Sequence, residues 1–162
     1  MTGNIDWPAA YATYAPHLVR YLRRLTRSEE EAQDLVQETF VKAIQSGSGL
    51  REHGSLRPWL YRIATNLAAE RRRRARLVSF VPFLGSEPAP ERATETDALI
   101  RLALRAIPHD QAVALVLAYH EGFARSEISD LLGVPEETVK TRIHRGRRHF
   151  AKAYERLERG GS

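Results

Sequence analysis

Apolar residues recur three and four positions apart along two long stretches, residues 11–76 and 98–160, and this spacing is the strongest constraint on the fold. It is the spacing that places side chains on one face of an α-helix. Strict alternation of apolar and polar residues, which is typical of a half-buried strand, does not extend over a convincing length, and no internal repeat is present. We therefore predict an all-α protein with two small helical domains.

Residues 77–97 separate these stretches and differ from them in composition and charge. Three prolines and one glycine fall within nine residues of this segment, a density that disfavours helices and strands alike. The segment has one Lys or Arg against four Asp or Glu, whereas residues 1–76 have 13 against 8 and residues 98–162 have 11 against 8. We predict an N-terminal domain over 1–76, a flexible acidic linker over 77–97 and a C-terminal domain over 98–162.

Capping residues and prolines indicate where the helices of the N-terminal domain begin and end. We predict a first helix from Trp7 to Thr26, a second that Ser28 caps and that ends near Gln45, and a third with Pro58 in its first turn. The residues expected on the buried faces of these helices are, in chain order, Tyr14, Leu18, Tyr21, Leu22, Leu25, Leu35, Val36, Phe40, Ala43, Ile44, Leu60, Ile63, Ala64 and Leu67.

The C-terminal domain carries the pattern of a helix-turn-helix. Ser126 is a suitable cap for a short helix, Gly133 supplies a turn with positive φ, and Pro135 opens a longer helix. Arg, Lys and Thr side chains on the outer face of such a second helix contact base edges in the major groove, so the pattern predicts DNA binding. We expect an inward face of Val139, Ile143, Gly146 and Phe150 and an outward face of Lys140, Thr141, His144, Arg145 and Arg148.

Residues around this motif extend the prediction. Arg142, Arg147 and Lys152 are better placed to contact phosphates, which position a protein on DNA without reading its sequence. A plain helical hairpin with a basic surface is the alternative to DNA binding. A helix opened by Pro108 is expected to precede the motif, with candidate core residues Val113, Val116, Leu117 and Tyr119.

Polar residues define a candidate partner surface on the second helix of the N-terminal domain. Asp34, Gln37, Glu38 and Lys42 lie on its polar side, opposite the apolar face. An acidic and amide-bearing surface suits a basic partner helix, and an ordinary solvated face is the alternative.

The third helix carries a second candidate surface, which is basic. Arg62, Asn66 and Arg73 share one of its faces, where an amide is suited to an exposed base edge and Arg to phosphates. Trp59 and Tyr61 lie nearby in the sequence. They have two alternative roles, stacking on unpaired bases or packing in the core.

Several other classes of protein do not fit the sequence. The chain has no Cys, which excludes disulfides, thiol nucleophiles and Cys-ligated zinc. Its six His residues lack metal-ligand spacing, and no phosphate-binding Gly loop or nucleophile motif is present, so we expect neither an enzyme nor a cofactor. No apolar run is long enough to span a membrane, and the N-terminus lacks the features of a signal peptide. We expect a cytoplasmic protein without membrane insertion.

Three segments together resemble the extracytoplasmic-function group of bacterial RNA polymerase sigma factors. Asp34 to Ile44 is similar to the family's core-polymerase-binding helix. Ser55 to Arg74 is similar to its promoter-melting and −10-reading helix, including the Arg-Pro-Trp-Leu run and Asn66. Gly122 to Phe150 is similar to its −35-reading helix-turn-helix. The resemblance covers residues 11–154, with the segments in the family's order.

The resemblance implies a sigma factor that directs RNA polymerase to promoters, with core RNA polymerase and promoter DNA as partners. A further partner, an anti-sigma factor, is expected because the family commonly has one, and the acidic linker is expected to pass through the polymerase. The loop of residues 47–57 would help to engage the −10 element. The implied sites are Asp34, Gln37 and Glu38 for core polymerase, Arg57, Arg62, Asn66 and Arg73 for the −10 element, and Lys140, Thr141, Arg142, His144, Arg145 and Arg148 for the −35 element.

The chain departs from the family pattern at a few positions. Leu56 stands where an aromatic residue is frequent, and Gly146 replaces a common Ala at a cost in helix propensity of about 1 kcal/mol. The alternative function is a stand-alone helix-turn-helix regulator, which binds duplex DNA by itself and usually as a dimer. No dimerisation heptads are present, and binding to core polymerase would discriminate between the two hypotheses.

Overall fold

A computed structural model describes residues 4–46, 55–78 and 94–160 of the chain. These residues form helices and no strand, which confirms the predicted all-α class. The chain divides into two compact units, Met1–Ser86 and Glu87–Ser162. Most of the segment predicted to be the linker lies outside the described residues, except that the preceding helix includes Leu77 and Val78 and the next helix begins at Glu95.

Three helices make up the described part of the first unit: α1 (Trp7–Leu25), α2 (Glu29–Gln45) and α3 (Leu56–Val78). The predicted cap of α2 is confirmed, since the Ser28 hydroxyl accepts a hydrogen bond of 3.0 Å from the backbone N–H of Glu31. Pro58 occupies the third position of α3, where its missing N–H leaves no intrahelical bond unmade. Local signals therefore located the ends of these helices to within a few residues.

The three helices pack against one another around a shared core. The rings of Tyr21 and Tyr61 lie 5.0 Å apart. The hydroxyl oxygens of Tyr21 and Thr65 lie 2.6 Å apart, and Thr65 itself donates to the carbonyl of Tyr61. Most of the predicted apolar face is buried, but the prediction for Ile44 is wrong, because 53% of this residue is exposed. No helix covers the last turn of α2 on that side within the described residues.

The second unit consists of α4 (Glu95–Ala106), α5 (His109–Leu115), α6 (Arg125–Leu132) and α7 (Glu136–Gly160). A π-helical turn, Val116–His120, continues α5. The longest helix, α7, packs against the other three, so its inner face forms the centre of the unit.

The π-helical turn explains one wrong prediction for the core. Val113, Val116 and Leu117 are buried as predicted, but Tyr119 is 60% exposed. A π turn contains more residues than an α turn, so the side chains after its start leave the face that an α-helix would give them. Tyr119 therefore lies at the surface although its spacing matched the apolar stripe.

The turn between α6 and α7 has the geometry predicted for a helix-turn-helix. Gly133 ends α6 with φ 67° and ψ 35°, the left-handed conformation in which a side chain is strained. Its N–H and that of the next residue both bond to the carbonyl of Ser129. The prediction that Ser126 caps α6 is wrong: the cap position is Ala124, whose N–H donates to the Glu127 carboxylate at 2.8 Å.

Gly146 lies in the contact between α7 and α5, beside Gln111 and Leu115. A Cβ at this position would stand 3.2 Å from the Cβ of Gln111 and 3.2 Å from both Cγ and Cδ1 of Leu115. These distances are shorter than ordinary van der Waals contacts. The absent side chain thus allows the two helices their close approach, which accounts for glycine in the middle of a long helix.

Candidate DNA-binding and partner-binding surfaces

The outer face of α7 presents the side chains that were predicted to read base edges. Opposite them, Val139 and Gly146 are buried, while Ile143 and Phe150 are partly buried, so the inner face points toward the rest of the unit. The glutamates at the start of α7 lie at the positive end of the helix dipole. The exposed residues of the outer face are Lys140, Thr141, His144, Arg145 and Arg148.

The residues predicted to hold phosphates differ in their surroundings. Arg142 points toward α5, with its guanidinium 3.9 Å from the Asp110 carboxylate and its side chain 26% exposed. The guanidinium of Arg147 lies 5.9 Å from the centre of the Tyr119 ring, and Lys152 is exposed. Tyr119 thus adjoins the basic surface of α7. The spacing of apolar residues predicted Tyr119 for the core and not for this surface, because the spacing does not reveal the π-helical turn that contains it.

A second basic surface runs along α3. Asn66 and Arg73 are exposed and Arg62 is partly buried, and one helical face holds all three. Arg57 lies at the start of the same helix, with its guanidinium 5.3 Å from the centre of the Tyr61 ring. The loop predicted to engage DNA together with this face falls mainly at residues 47–54, which lie outside the described residues.

The two aromatic residues near this face belong to the core. Trp59 is 6% exposed and Tyr61 is 1% exposed. In this conformation neither ring has an open face on which a base could stack, so the structure favours the core-packing alternative for both residues.

The outer side of α2 combines polar and apolar groups. Asp34, Gln37 and Glu38 are all exposed, as predicted. Val41 and Ile44, exposed to 54% and 53%, lie on the same side of the helix, and sequence reasoning assigned neither of them to this surface. The surface is therefore an acidic and amide-bearing stripe with apolar groups exposed beside it. Protein interfaces combine an apolar core with a polar rim, and this surface offers both kinds of group.

An ion pair borders this stripe. The carboxylate of Glu38 lies 3.1 Å from the guanidinium of Arg71 on α3. The two helices enclose a groove of about 620 Å³ with Leu67 and Val41 among its lining residues. Glu38 is thus held toward α3.

The described residues include neither a metal-binding cluster nor a membrane-spanning helix. In the part of the chain that the structure describes, no group of three or more His, Cys, Asp or Glu residues could hold a metal ion. Among the same residues, no helix is both long enough and apolar enough to cross a membrane.

Comparison with known protein families matches both units. Residues 10–78 match the family described as Sigma-70 region 2, and residues 97–150 match Sigma-70, region 4. A helical unit with the basic face of α3 and a second unit with a helix-turn-helix therefore define the class of sigma-70-type transcription initiation factors.

Curated relatives narrow this class. SigL of Mycobacterium tuberculosis is 33% identical over 144 residues, which cover 84% of this chain and 81% of SigL. SigE of Mycolicibacterium smegmatis is 34% identical over 157 residues, and the match spans 90% of this chain but only 60% of SigE. SigW of Bacillus subtilis is 29% identical, with 86% and 83% of the two chains covered. All three are extracytoplasmic-function RNA polymerase sigma factors.

A solved structure with a similar fold is the sigma factor RpoE in complex with the anti-sigma factor NepR from Bartonella quintana. It has a TM-score of 0.76 and 24% sequence identity, and the match covers 93% of this chain and 97% of the other. The chain belongs to the extracytoplasmic-function group of RNA polymerase sigma factors. It accordingly directs RNA polymerase to promoters and is not an enzyme.

Proposed function

We propose that three separate surfaces of the described units divide the work of promoter recognition. The outer side of α2 binds core polymerase, the basic face of α3 engages the −10 element, and the outer face of α7 reads the −35 element. The observation that carries this proposal is that each of the three surfaces presents exposed side chains on a helix whose opposite face is buried. A surface of that kind is held rigidly and is open to a partner.

The −35 assignment is supported by the chemistry of the outer face of α7. Lys140, His144 and Arg145 offer donors suited to guanine O6 and N7, and Thr141 offers a hydroxyl and a methyl group. The helix-turn-helix presents such side chains to the major groove. Arg142 points toward Asp110 on α5 and not along the outer face of α7. In this arrangement it therefore contacts a phosphate and not a base edge.

Two lysines of α7 provide a matched test of the −35 assignment. On promoter fragments found by mapping the transcription start sites that depend on this chain, Lys140→Ala is expected to reduce discrimination between the −35 element and a scrambled element. The reduction expected for one base contact is roughly 5- to 150-fold, the equivalent of about 1–3 kcal/mol. Lys152→Ala is expected to weaken binding equally on both fragments. Equal behaviour of the two variants would contradict the assignment.

The −10 assignment is supported by the amide and guanidinium groups on α3. Asn66 is exposed and offers both a donor and an acceptor to a base edge, while Arg62 and Arg73 flank it on the same face. Since Trp59 and Tyr61 are buried, hydrogen bonds and charge carry this contact rather than stacking on those rings. Asn66→Ala is expected to lower run-off transcription by the holoenzyme while leaving the affinity for core polymerase unchanged.

The polymerase assignment is supported by the mixed surface of α2. Asp34 and Gln37 suit a basic partner helix, and the exposed Val41 and Ile44 add apolar area that a partner would bury. Asp34→Ala and Ile44→Ala are each expected to reduce capture by core polymerase roughly tenfold or more.

The control for these two variants is Glu158→Ala, which removes an exposed carboxylate from the end of α7 and should leave core binding unchanged. DNA binding by the free protein should be the same for all three variants. If Asp34→Ala and Ile44→Ala both bind core polymerase with unchanged affinity, the assignment of α2 is wrong.

We also propose that the chain works in the cytoplasm. Its domains are an N-terminal domain over 1–76 and a C-terminal domain over 98–162, joined by a linker over 77–97. Lastly, we propose that an anti-sigma factor controls it. The similar structure of the sigma factor RpoE with the anti-sigma factor NepR is a complex of this kind and supports the last point. Affinity purification of the tagged chain from its own cells tests it. Recovery of core polymerase with no second partner, under both inducing and non-inducing conditions, would contradict it.

A further inference from the structure

The π-helical turn that continues α5 brings an aromatic side chain to the surface of the second unit. Val116 and Leu117, at the start of this turn, are fully buried, whereas Tyr119 is exposed two residues later. Burial of a large aromatic ring stabilises a fold, so an exposed tyrosine forgoes that contribution. Because π turns within helices are frequent at functional sites, the exposed ring is a candidate for a functional role.

The backbone around Tyr119 is fixed on both sides. The N–H of Glu121 bonds to the carbonyl of Val116 at 3.0 Å. The N–H of Phe123 bonds to the carbonyl of Leu117 at 3.0 Å, and the Phe123 side chain is buried where the chain leaves the turn. The ring of Tyr119 is therefore attached to a backbone that buried side chains and hydrogen bonds hold in place.

This ring lies against a basic side chain of α7. The guanidinium carbon of Arg147 stands over the Tyr119 ring, 5.9 Å from its centre. A guanidinium within about 6 Å of an aromatic ring is attracted to the face of that ring. The ring is neutral, and the residues three and four positions from Arg147 along α7 include no carboxylate. The contact therefore restrains the guanidinium without neutralising its charge.

Arg147 and Arg142 stand on opposite borders of the outer face of α7. Successive residues of an α-helix are about 100° apart around its axis, which places the two arginines on either side of Lys140 and His144. A helix in the major groove has a phosphate backbone along each side, so residues at its borders are placed to contact phosphates. The two borders differ, because Arg142 lies beside the Asp110 carboxylate, which competes with phosphate, and Arg147 lies on a neutral ring.

We propose that Tyr119 is a positioning residue for DNA binding by the second unit. Its ring holds the guanidinium of Arg147 at the border of the outer face, where it binds a phosphate of the DNA that α7 reads. A free Arg side chain samples many rotamers, and fixing it on binding costs conformational entropy. The ring lowers this cost because it restricts Arg147 before DNA is bound. The inference rests on the proposed −35 role of α7 and adds to it a residue that makes no base contact.

The test measures the affinity of the full chain for a duplex with the −35 element of a mapped promoter, at several salt concentrations. Loss of one phosphate contact lowers the slope of log affinity against log salt by about 0.9, so Arg147→Gln should change the slope by this amount. Tyr119→Ala retains the charge of Arg147 and should leave the slope unchanged. Its affinity should fall about two- to fivefold, the factor by which an exposed cation–π contact favours one rotamer of Arg147.

Two comparisons distinguish positioning from a structural role. Tyr119→Phe keeps the ring and should bind DNA as the parent chain does. In the Arg147→Gln background, Tyr119→Ala should cause no further loss, because the ring then has no guanidinium to hold. The matched control is Tyr11→Ala, the same change at an exposed tyrosine of the first unit, which should leave duplex affinity unchanged. Calorimetry of each variant checks that the second unit is intact.

Three results would overturn the proposal. Equal losses for Tyr119→Ala in the parent chain and in the Arg147→Gln background would mean that the ring acts independently of Arg147. Equal losses for Tyr119→Phe and Tyr119→Ala would assign the effect to a direct contact of the hydroxyl. Unchanged affinity of Tyr119→Ala would show that the ring has no role in DNA binding.

Lys140→Ala separates this inference from the −35 assignment on which it rests. If Lys140→Ala discriminates between the −35 element and a scrambled element as well as the parent chain does, the −35 assignment fails. If Lys140→Ala loses discrimination while Tyr119→Ala binds as the parent chain does, the positioning role fails and the −35 assignment stands.

Discussion

Replacement of Gly146 by Ala should have two opposing effects on the stability of the second unit, one through helix propensity and one through packing. In the interior of α7, Ala is favoured over Gly by about 1 kcal/mol. The new Cβ would stand 3.2 Å from the Gln111 Cβ and from two atoms of the Leu115 side chain. Leu115 is buried, with 6% of its surface exposed, so it has little room to move. Overpacking of this kind costs about 1–3 kcal/mol, so we expect Gly146→Ala to destabilise the second unit by roughly 0–2 kcal/mol.

The two units can be followed separately during thermal unfolding. Both tryptophans, Trp7 and Trp59, lie in the first unit. Their fluorescence should therefore show an unchanged transition, while far-ultraviolet circular dichroism and calorimetry detect the loss of stability in the second unit. For a unit of this size, 1 kcal/mol corresponds to a shift in Tm of about 4–8 °C.

A double-mutant cycle with Leu115→Ala tests whether the close contact with Leu115 causes the loss of stability in Gly146→Ala. Leu115→Ala removes both Leu115 atoms that the new methyl group would approach. In that background, Gly146→Ala should stabilise the second unit by up to about 1 kcal/mol, because Ala has the higher helix propensity and the close contact with Leu115 is gone. Sucrose in the buffer strengthens burial and offsets part of the cost of the Leu115 cavity. A rise in Tm for Gly146→Ala in the parent chain, with no coupling to Leu115, would refute the packing argument.

Three further substitutions test local features of the fold. Gly133→Ala places a side chain at φ 67° with nothing within 4 Å of its Cβ, so strain alone should cost about 1–2 kcal/mol, measured by calorimetry of the second unit. Ser28→Ala removes the hydroxyl that caps α2 and should lower the stability of the first unit by about 1 kcal/mol in urea unfolding followed by tryptophan fluorescence. Tyr21→Phe deletes the buried hydrogen bond to Thr65, which should cost about 1–3 kcal/mol in the same assay; a loss near zero would mean that Thr65 is satisfied by the Tyr61 carbonyl alone.

Features that depend on neighbours in the chain were predictable from the sequence. The start of α2 at Ser28 and the glycine turn at Gly133 follow from interactions between residues a few positions apart. The predicted cap at Ser126 failed for an equally local reason, because Glu127 bonds to the N–H of Ala124 and allows the helix to start earlier. The carboxylate of Glu127, three residues after Ala124, caps this helix in place of the Ser126 hydroxyl.

Features that depend on contacts between helices were not predictable in the same way. Ile44 continues the apolar stripe of α2, yet it is exposed because no described helix covers that turn. The role of Gly146 is invisible without Leu115, which lies on another helix. The ion pair between Glu38 and Arg71 joins residues 33 positions apart, and no periodicity links them.

The sequence by itself determined the helical class and the residues exposed on the outer face of α7, since periodic burial needs only the spacing of apolar residues. It also carried the resemblance to the sigma factors, which the family comparison confirmed. Only the tertiary structure decided that Trp59 and Tyr61 belong to the core, that Tyr119 lies at the surface, and that Glu38 of α2 pairs with Arg71 of α3. These outcomes depend on which helix lies against which face, and such packing brings together residues whose separation along the chain follows no rule.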